Sequence, residues 1–149
     1  MAQYQLSVLH RDARNAPQAL AAANAAYADA ELARNAYAMA HARMAESSVM
    51  ELLERPGREL AAMQEALAIA RADASLPAEA KALVNLADIR LRRKQYADAL
   101  DLSRRSLALA RSIGDSGLVA TSLANLGFAT MGLGRVAEGM RHADEAMAE

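Results

Sequence analysis

Residues 66–71 read Ala-Leu-Ala-Ile-Ala-Arg, and residues 106–111 read Ser-Leu-Ala-Leu-Ala-Arg, so nearly the same hexapeptide returns 40 positions later. The offset recurs at residues 85–87, Asn-Leu-Ala, which return as Asn-Leu-Gly at 125–127. It recurs again at 95–100, Gln-Tyr-Ala-Asp-Ala-Leu, which are matched by Arg-Val-Ala-Glu-Gly-Met at 135–140. Self-similarity at one fixed period of this size is typical of a stacked repeat architecture.

The 40-residue offset also reaches the amino-terminal half, as columns of side chains of similar size. One column is large and apolar, and two columns are small. The large column holds Leu20, Leu60, Leu100 and Met140; the small columns hold Ser7, Ser47, Ala87 and Gly127, and Ala26, Ala66, Ser106 and Ala146. Three consistent columns at one offset indicate four repeats along the whole chain.

Apolar residues within each unit recur at steps of three and four, which is the period of a helix. Proline and glycine separate the helical stretches, as at Pro56-Gly57, Gly114, Gly132 and Gly134. We predict eight helices, at residues 2–14, 16–31, 36–54, 57–73, 77–93, 96–113, 117–132 and 135–148, and no strand. The predicted fold class is all-α, a right-handed α-solenoid of about four helix-turn-helix units.

The boundary between the second and third helices has the weakest signal. Residues 16–54 contain no glycine, and their only proline is Pro17. The repeat frame requires a turn near residues 32–37, where Asn35 is the best helix-ending residue. The alternative is one helix of nearly forty residues, which would open the solenoid and force chain exchange or dimerisation.

Composition narrows the classes of function. The 149 residues are enough for one domain, so we predict a single repeat domain over residues 1–149. A net charge of -1 leaves no electrostatic footprint for nucleic acid or an anionic membrane. The chain has 0 cysteines and no apolar run long enough to span a bilayer. We therefore expect a cytoplasmic protein with no cofactor, no metal, no nucleic acid partner and no membrane partner.

The repeated residues resemble the tetratricopeptide consensus. The resemblance rests on Asn125-Leu126-Gly127 with Gly134 and Ala146, and on Asn85-Leu86-Ala87 with Tyr96, Ala99 and Leu100. A 40-residue period, rather than about 34, resembles the longer subclass in kinesin light chains, bacterial peptide-pheromone receptors and large ATP-binding transcription activators. The match is good for residues 78–149 and weak for residues 1–60, where Glu46 replaces an expected leucine and Glu59 an expected alanine.

The resemblance implies units at about residues 1–34, 35–74, 75–114 and 115–149, each made of a helix A and a helix B. It also implies a scaffold that binds a protein or peptide in the concave groove lined by the A helices. It implies no catalysis, and we predict that the chain is not an enzyme.

Two rows of A-helix residues are the candidate binding site. Asparagine offers a donor and an acceptor, so it can pair with the peptide group of an extended ligand. The resembled subclass uses asparagine in this way, Phe128 would add an apolar contact, and Lys81 and Arg92 would favour an acidic segment. The alternative is that the asparagines bridge neighbouring helices and the charges are solvated. The rows are Lys81, Asn85, Asp88 and Arg92, and, one repeat later, Thr121, Asn125 and Phe128.

Other motifs have ordinary structural explanations. The cations at 90–94 and 104–105 could meet an anionic partner, but acidic neighbours and a helix C-terminus account for them better. Residues 132–137 fit a dinucleotide-binding pattern, yet that pattern requires a preceding strand and here follows a predicted helix. His10, His41 and His142 are far apart and show no metal-binding spacing.

Self-association is the alternative function. Met140, Ala143 and Met147 form an apolar stripe on the last predicted helix, and nothing later in the sequence would bury it. We expect either a fragment of a longer repeat array or a homo-oligomer that covers this stripe. A third outcome is that one short stripe stays exposed without consequence.

Overall fold

The computed structural model describes residues 15–148, which form helices joined by short turns and contain no strand. The predicted helix at residues 2–14 lies outside the described residues. The all-α prediction is confirmed, and the other seven predicted helices agree with the structure to within about one turn. The helices are α1 (Ala16–Leu32), α2 (Ala36–Leu52), α3 (Pro56–Ala72), α4 (Leu76–Arg92), α5 (Tyr96–Ile113), α6 (Ser116–Gly132) and α7 (Val136–Ala148).

The alternative of one long helix over residues 16–54 is wrong. Helix α1 ends at Leu32, and Arg34 adopts a left-handed backbone with φ of 51°. The Asn35 side chain then accepts a hydrogen bond from the Ala38 N–H at 3.0 Å, which caps the start of α2. Asn35 thus marks the turn, although it acts by starting the second helix rather than by ending the first.

The helix-ending turns recur every 20 residues. In each turn one residue has positive φ, and the next residue donates its N–H to the carbonyl five positions earlier, as Gln95 does to Arg90 at 2.9 Å. This bond closes the last helical turn in the Schellman manner. The backbone conformation therefore repeats every 20 residues, which is half of the 40-residue sequence repeat. The positive-φ residues are Arg34, Glu54, Ala74, Lys94, Gly114 and Gly134.

The chain divides into two compact units between Ala78 and Glu79. In the first unit, α2 contacts both α1 and α3. Ala16, Ala19 and Val49 form a small buried cluster there, flanked by Leu20 and Leu53. Because alanine side chains are short, this core depends on close helix contact rather than on large interlocking side chains.

A closed set of ion pairs joins α2 to α3 in the first unit. Arg43 lies 2.7 Å from Glu46 and 3.0 Å from Glu65, while Arg58 lies 2.5 Å from Glu46 and 2.8 Å from Glu65. The Arg43 guanidinium also sits over the ring of Tyr27 on α1, 3.8 Å from its centroid. The unexpected glutamate at position 46 is thus buried but held between two cations.

Burial alone would raise the pKa of Glu46. The hydrogen bonds from Arg58 and Arg43, with the positive charges of the same groups, outweigh burial and hold this pKa below its usual range. The carboxylate is therefore charged at neutral pH, and it occupies a column in which Leu86 and Leu126 stand one and two repeats later.

In the second unit, α6 packs against both α5 and α7. Its core contains Leu107 and Ala110 of α5 with Val119, Leu123 and Leu126 of α6. Beside them the Ser106 hydroxyl lies 2.7 Å from the Ser122 hydroxyl and donates to the Ala80 carbonyl at 3.2 Å. These contacts tie α4, α5 and α6 together.

The small column at positions 47, 87 and 127 marks where helices A and B of a repeat cross. In the first unit the Ser47 hydroxyl is buried and donates to the backbone carbonyl of Glu59 on α3 at 2.8 Å. Ala99 stands 40 residues after Glu59 and Ala87 stands 40 after Ser47, and both are fully buried. A larger side chain at this column would hold the two helices apart.

Candidate partner-binding face

One hydrogen bond ties helices α4 and α6, the A helices of the second unit. The side-chain amide of Asn125 donates to the backbone carbonyl of Val84 at 3.2 Å. Asn125 is only 8% exposed, so this bond is made away from bulk water. The two rows of predicted binding residues therefore lie on helices that touch each other.

The row on α4 is polar and partly self-neutralised. Lys81 and Asn85 are half-buried, whereas Asp88 and Arg92 are exposed. Arg92 Nε lies 3.1 Å from Asp88 Oδ2, one turn away on the same helix. The Asp88–Arg92 pair cancels its own charge locally, which leaves Lys81 as the net positive charge of this row.

The row on α6 carries no charge. Thr121 is exposed, and its hydroxyl donates to the Gly117 carbonyl at 2.9 Å. Phe128 is 60% exposed, and it stands 40 residues after Asp88, in the same column of the repeat. An aromatic ring held in water on a helix face is a candidate contact for a partner. The partner face is defined here as Lys81, Asn85, Asp88, Arg92, Thr121, Asn125 and Phe128.

Asn125 has the bridging role that the sequence left as the alternative. Its amide nitrogen already bonds Val84, so one of its two N–H groups is engaged within the protein. Asn85, in the corresponding position of α4, is half-buried. A role for either asparagine in holding ligand backbone stays a prediction.

Within the basic run, Arg90, Arg92 and Arg105 are paired with nearby acids in the structure. Arg92 meets Asp88, Arg90 lies 4.0 Å from Asp98, and Arg105 lies 3.6 Å from Asp101. The Arg90 guanidinium also donates to the side chain of Gln95 at 2.7 Å. These pairs favour the structural explanation of the run over an anion-binding site.

The remaining motifs also have structural places. Gly132 ends α6 and Gly134 has a φ of 84° in the next turn, so the glycine motif follows a helix. His41 is buried with its ring 4.3 Å from that of Tyr37, and His142 lies about 4 Å from Glu138 and Glu145. His10 lies outside the described residues. Over residues 15–148 no three His, Cys, Asp or Glu side chains form a metal-binding group.

The predicted self-association residues lie along α7. Met140 is 57% exposed, Met147 is 81% exposed and Ala143 is half-buried. Sequence reasoning missed Val136, which is exposed on the same stripe four residues before Met140. The three-four spacing of 136, 140, 143 and 147 could have identified it. Self-association through this stripe stays a prediction.

No helix among residues 15–148 combines the length and apolar character needed to cross a membrane.

Comparison with known proteins places the fold. An aspartyl phosphate phosphatase F from Bacillus subtilis superposes with a TM-score of 0.84 at 15% identity, covering 98% of this chain and 38% of that one. A putative kinesin light chain from Podosopora anserina, with nearly identical TPR-like repeats, superposes with a TM-score of 0.78 at 14% identity, covering 99% of this chain and 72% of that one. A single-substitution form of that protein gives a TM-score of 0.79. This chain thus spans well under half of the first structure.

No curated protein matches the chain by sequence. Residues 78–148 match the family described as tetratricopeptide repeat. These residues include the whole partner face, and the repeat class supports a role as a protein–protein interaction scaffold. In its helix order, its repeat spacing and this match, the chain is similar over residues 78–148 to the tetratricopeptide repeat family.

Proposed function

We propose that the chain binds a protein or peptide through the partner face on α4 and α6, as a regulatory or scaffolding module. Exposed Phe128 is the observation that carries the proposal. Contact between an aromatic ring and water is unfavourable, so a partner that buries the Phe128 ring gains binding free energy by removing its apolar surface from water.

The chemistry of the two rows favours a segment with mixed character. Phe128 can contact an apolar side chain of the partner. Because Asp88 and Arg92 pair with each other, the charge of Lys81 is not balanced within its row and can attract a carboxylate of the partner. Lys81 and Phe128 stand at levels seven residues apart in the repeat frame, which is about 10 Å along a helix axis. An extended peptide covers that distance in about three residues.

A photo-crosslinking amino acid at position 128 tests the proposal in a lysate of the native cell. The matched control places the same group at Ala108, which is exposed on α5 and is not part of the partner face. We expect a partner to be captured from position 128 and not from position 108. Mass spectrometry then identifies the partner, and binding is measured with purified components.

Affinity of the identified partner is then compared between variants. Phe128→Ala should weaken binding at least fivefold. Lys81→Glu should also weaken the binding of an acidic partner, and its effect should be larger at low salt than at high salt. Arg104→Ala, on the exposed side of α5, should leave the affinity unchanged. The proposal fails if neither Phe128→Ala nor the double variant Asn85→Ala, Asn125→Ala changes the affinity.

Self-association through Met140, Ala143 and Met147 is the second candidate function. The exposure of Met140 and Met147 favours it. Against it, α7 is 13 residues long and offers one stripe, whereas a stable dimer buries about 800 Å² per partner. Light scattering over a concentration series decides, because a strict monomer at high concentration excludes this function.

A further inference from the structure

Tyr96, the first residue of α5, packs against the last turn of α6. A Cβ added to Gly132 would collide with three atoms of the Tyr96 ring, so the ring fills the space where a side chain at position 132 would lie. Both residues still reach the surface, because Gly132 is exposed and Tyr96 is half-buried. Tyr96 is therefore partly open to solvent beside bare helix backbone.

The Tyr96 ring lies on the side of α6 that carries Phe128. Gly132 and Phe128 are four residues apart, so their Cβ directions share one face of the helix and lie about 5–6 Å apart. The Tyr96 ring fills the Gly132 direction, and Phe128 is 60% exposed one turn before it. Two aromatic side chains thus adjoin within one helical turn, one from an A helix and one from a B helix. The residues Tyr96, Gly132 and Phe128 are called the anchor subsite.

The exposure of Phe128 follows from its column in the repeat. Asp88 stands 40 residues before Phe128 on α4, and 55% of its side chain is exposed. This holds although α6 packs beside α4 through the hydrogen bond from Asn125 to Val84. Position 128 therefore faces solvent by its place on the A helix, and a helix packed beside an A helix leaves this column open.

Charge around the anchor subsite is low. Asp88 and Arg92 stand on α4 in the columns of Phe128 and Gly132, and they form an ion pair at 3.1 Å that adds no net charge. Residues 128–134 contain no charged side chain. Aromatic rings gain most by burying apolar area, and a charged group loses hydration against them. The anchor subsite therefore favours a large apolar side chain over a charged one.

We propose that the anchor subsite binds one large apolar side chain, aromatic or leucine, of an extended partner segment. This inference rests on the proposed function, because the anchor subsite shares Phe128 with the partner face. Tyr96 contacts the partner through its ring, as tyrosine does at the centres of many interfaces. Gly132 is a positioning residue, since any side chain there would displace the Tyr96 ring. The binding surface is then lined by a B-helix residue as well as by the A helices.

The probe is a phage library of random dodecapeptides, selected on the immobilised whole chain. Enriched peptides are synthesised with a fluorescent label, and fluorescence anisotropy measures their affinity for the chain in solution. We expect the enriched peptides to share one aromatic residue or leucine. Replacing that residue with alanine should weaken binding at least fivefold, because it carries the apolar area that the two rings bury.

Variants of the chain test each part of the anchor subsite. Tyr96→Ala should weaken peptide binding at least fivefold, whereas Tyr96→Phe keeps the ring and should change binding less than twofold. Gly132→Ala should weaken binding at least threefold by displacing the Tyr96 ring. The matched control is Gly57→Ala, where an added Cβ meets nothing within 4 Å, and it should leave the affinity unchanged. Thermal melts show which variants keep the fold.

Fluorine NMR of the parent chain separates partner contact from packing without a variant at the site. Phe128 is the only phenylalanine and Tyr96 is one of 4 tyrosines, so fluorinated forms of these residues give few signals. Tyr96→Phe assigns the Tyr96 signal. Adding peptide should shift the signals of Phe128 and Tyr96, while the signal of Tyr27, whose ring lies under Arg43, should stay in place.

The outcomes distinguish this inference from the proposed function. Peptides that need Phe128, yet tolerate both Tyr96→Ala and Gly132→Ala and leave the Tyr96 signal in place, overturn the anchor subsite alone. Enriched peptides without a shared apolar residue overturn it as well. If no peptide is enriched, the inference fails, while a partner captured by the crosslinker at position 128 still supports the proposed function. Peptides indifferent to Phe128→Ala and to the double asparagine variant contradict both.

Discussion

Gly127 and Gly139 meet backbone to backbone where α6 crosses α7. A Cβ added to Gly127 would lie 2.9 Å from the Gly139 carbonyl oxygen, and one added to Gly139 would lie 2.7 Å from the Gly127 carbonyl oxygen. A Cβ on Gly139 would also collide with the Met131 side chain. The crossing therefore admits only glycine on both helices, one repeat after the Ala87 and Ala99 positions.

Gly139→Ala should lower the free energy of unfolding by up to about 2 kcal/mol. Alanine favours a helix over glycine by about 1 kcal/mol, but forcing an atom into a closed crossing costs about 1–3 kcal/mol or more. Urea unfolding followed by circular dichroism measures the difference.

Gly57→Ala is the matched control for the crossing. Gly57 lies at the start of α3, and a Cβ there meets nothing within 4 Å. This variant should be about 0.5–1 kcal/mol more stable than the parent chain, because alanine has less freedom to lose on folding. Equal effects at both glycines would contradict the close approach.

The two asparagines of the partner face should separate stability from binding. Asn125→Ala removes the buried hydrogen bond to Val84 and should cost about 1–2 kcal/mol of stability. Asn85→Ala, at a half-buried position, should change stability by less than about 0.5 kcal/mol. Thermal melts of the single variants measure this, and the reverse order would show that Asn125 is not the bridge between α4 and α6.

The ion pairs of Glu46 should make stability depend on acid pH. Its pKa is lower in the folded chain than the unfolded value of about 4.3, so its contribution is complete at pH above that value. The contribution is then lost as the pH falls through the folded pKa. Glu46→Gln should lower stability at pH 7 by roughly 1–3 kcal/mol and remove that part of the acid dependence.

Urea midpoints between pH 7 and pH 3 measure the effect of Glu46→Gln. Glu31→Gln, at an exposed position on α1, is the control and should leave the pH profile close to that of the parent chain. A Glu46→Gln profile parallel to the parent at every pH would mean that the network does not hold Glu46 charged.

The left-handed turn at Ala74 should be improved by glycine. Ala74 has a φ of 53°, which costs an L-residue about 1–2 kcal/mol and costs glycine nothing. Glycine also gives the unfolded chain more conformational freedom, which reduces this gain in stability by about 0.4–1 kcal/mol. Ala74→Gly should therefore raise stability by about 0.5–1 kcal/mol, measured as a higher melting temperature.

Ala72→Gly makes the same chemical change two residues earlier, at the end of α3. This position is helical, so glycine there should lower stability by up to about 1 kcal/mol. Opposite signs at residues 72 and 74 are the expected result, and a loss at both would show that the turn is not strained in solution.

Helical class, repeat length and helix bounds could be predicted from the sequence alone. Periodicity and helix-ending residues are local, and the 40-residue offset aligns each turn of one unit with the turn of the next. The turn at Arg34 and Asn35 was harder, because four of the six left-handed turn residues are not glycine. The hydrogen bonds that close these turns are backbone bonds made by the residue after the turn, so no single helix-breaking residue type marks them in the sequence.

The roles of the polar side chains were decided by the tertiary structure. Sequence placed Asn85 and Asn125 in equivalent columns, yet only contact between α4 and α6 buries Asn125 on the Val84 carbonyl. Glu46 departs from the repeat, and one of its two arginine partners, Arg58, comes from a different helix. Equivalent positions of the repeat share a backbone conformation, but the burial and pairing of their side chains depend on the neighbouring helices. Leu107 and Met147 therefore occupy the same column and differ in exposure.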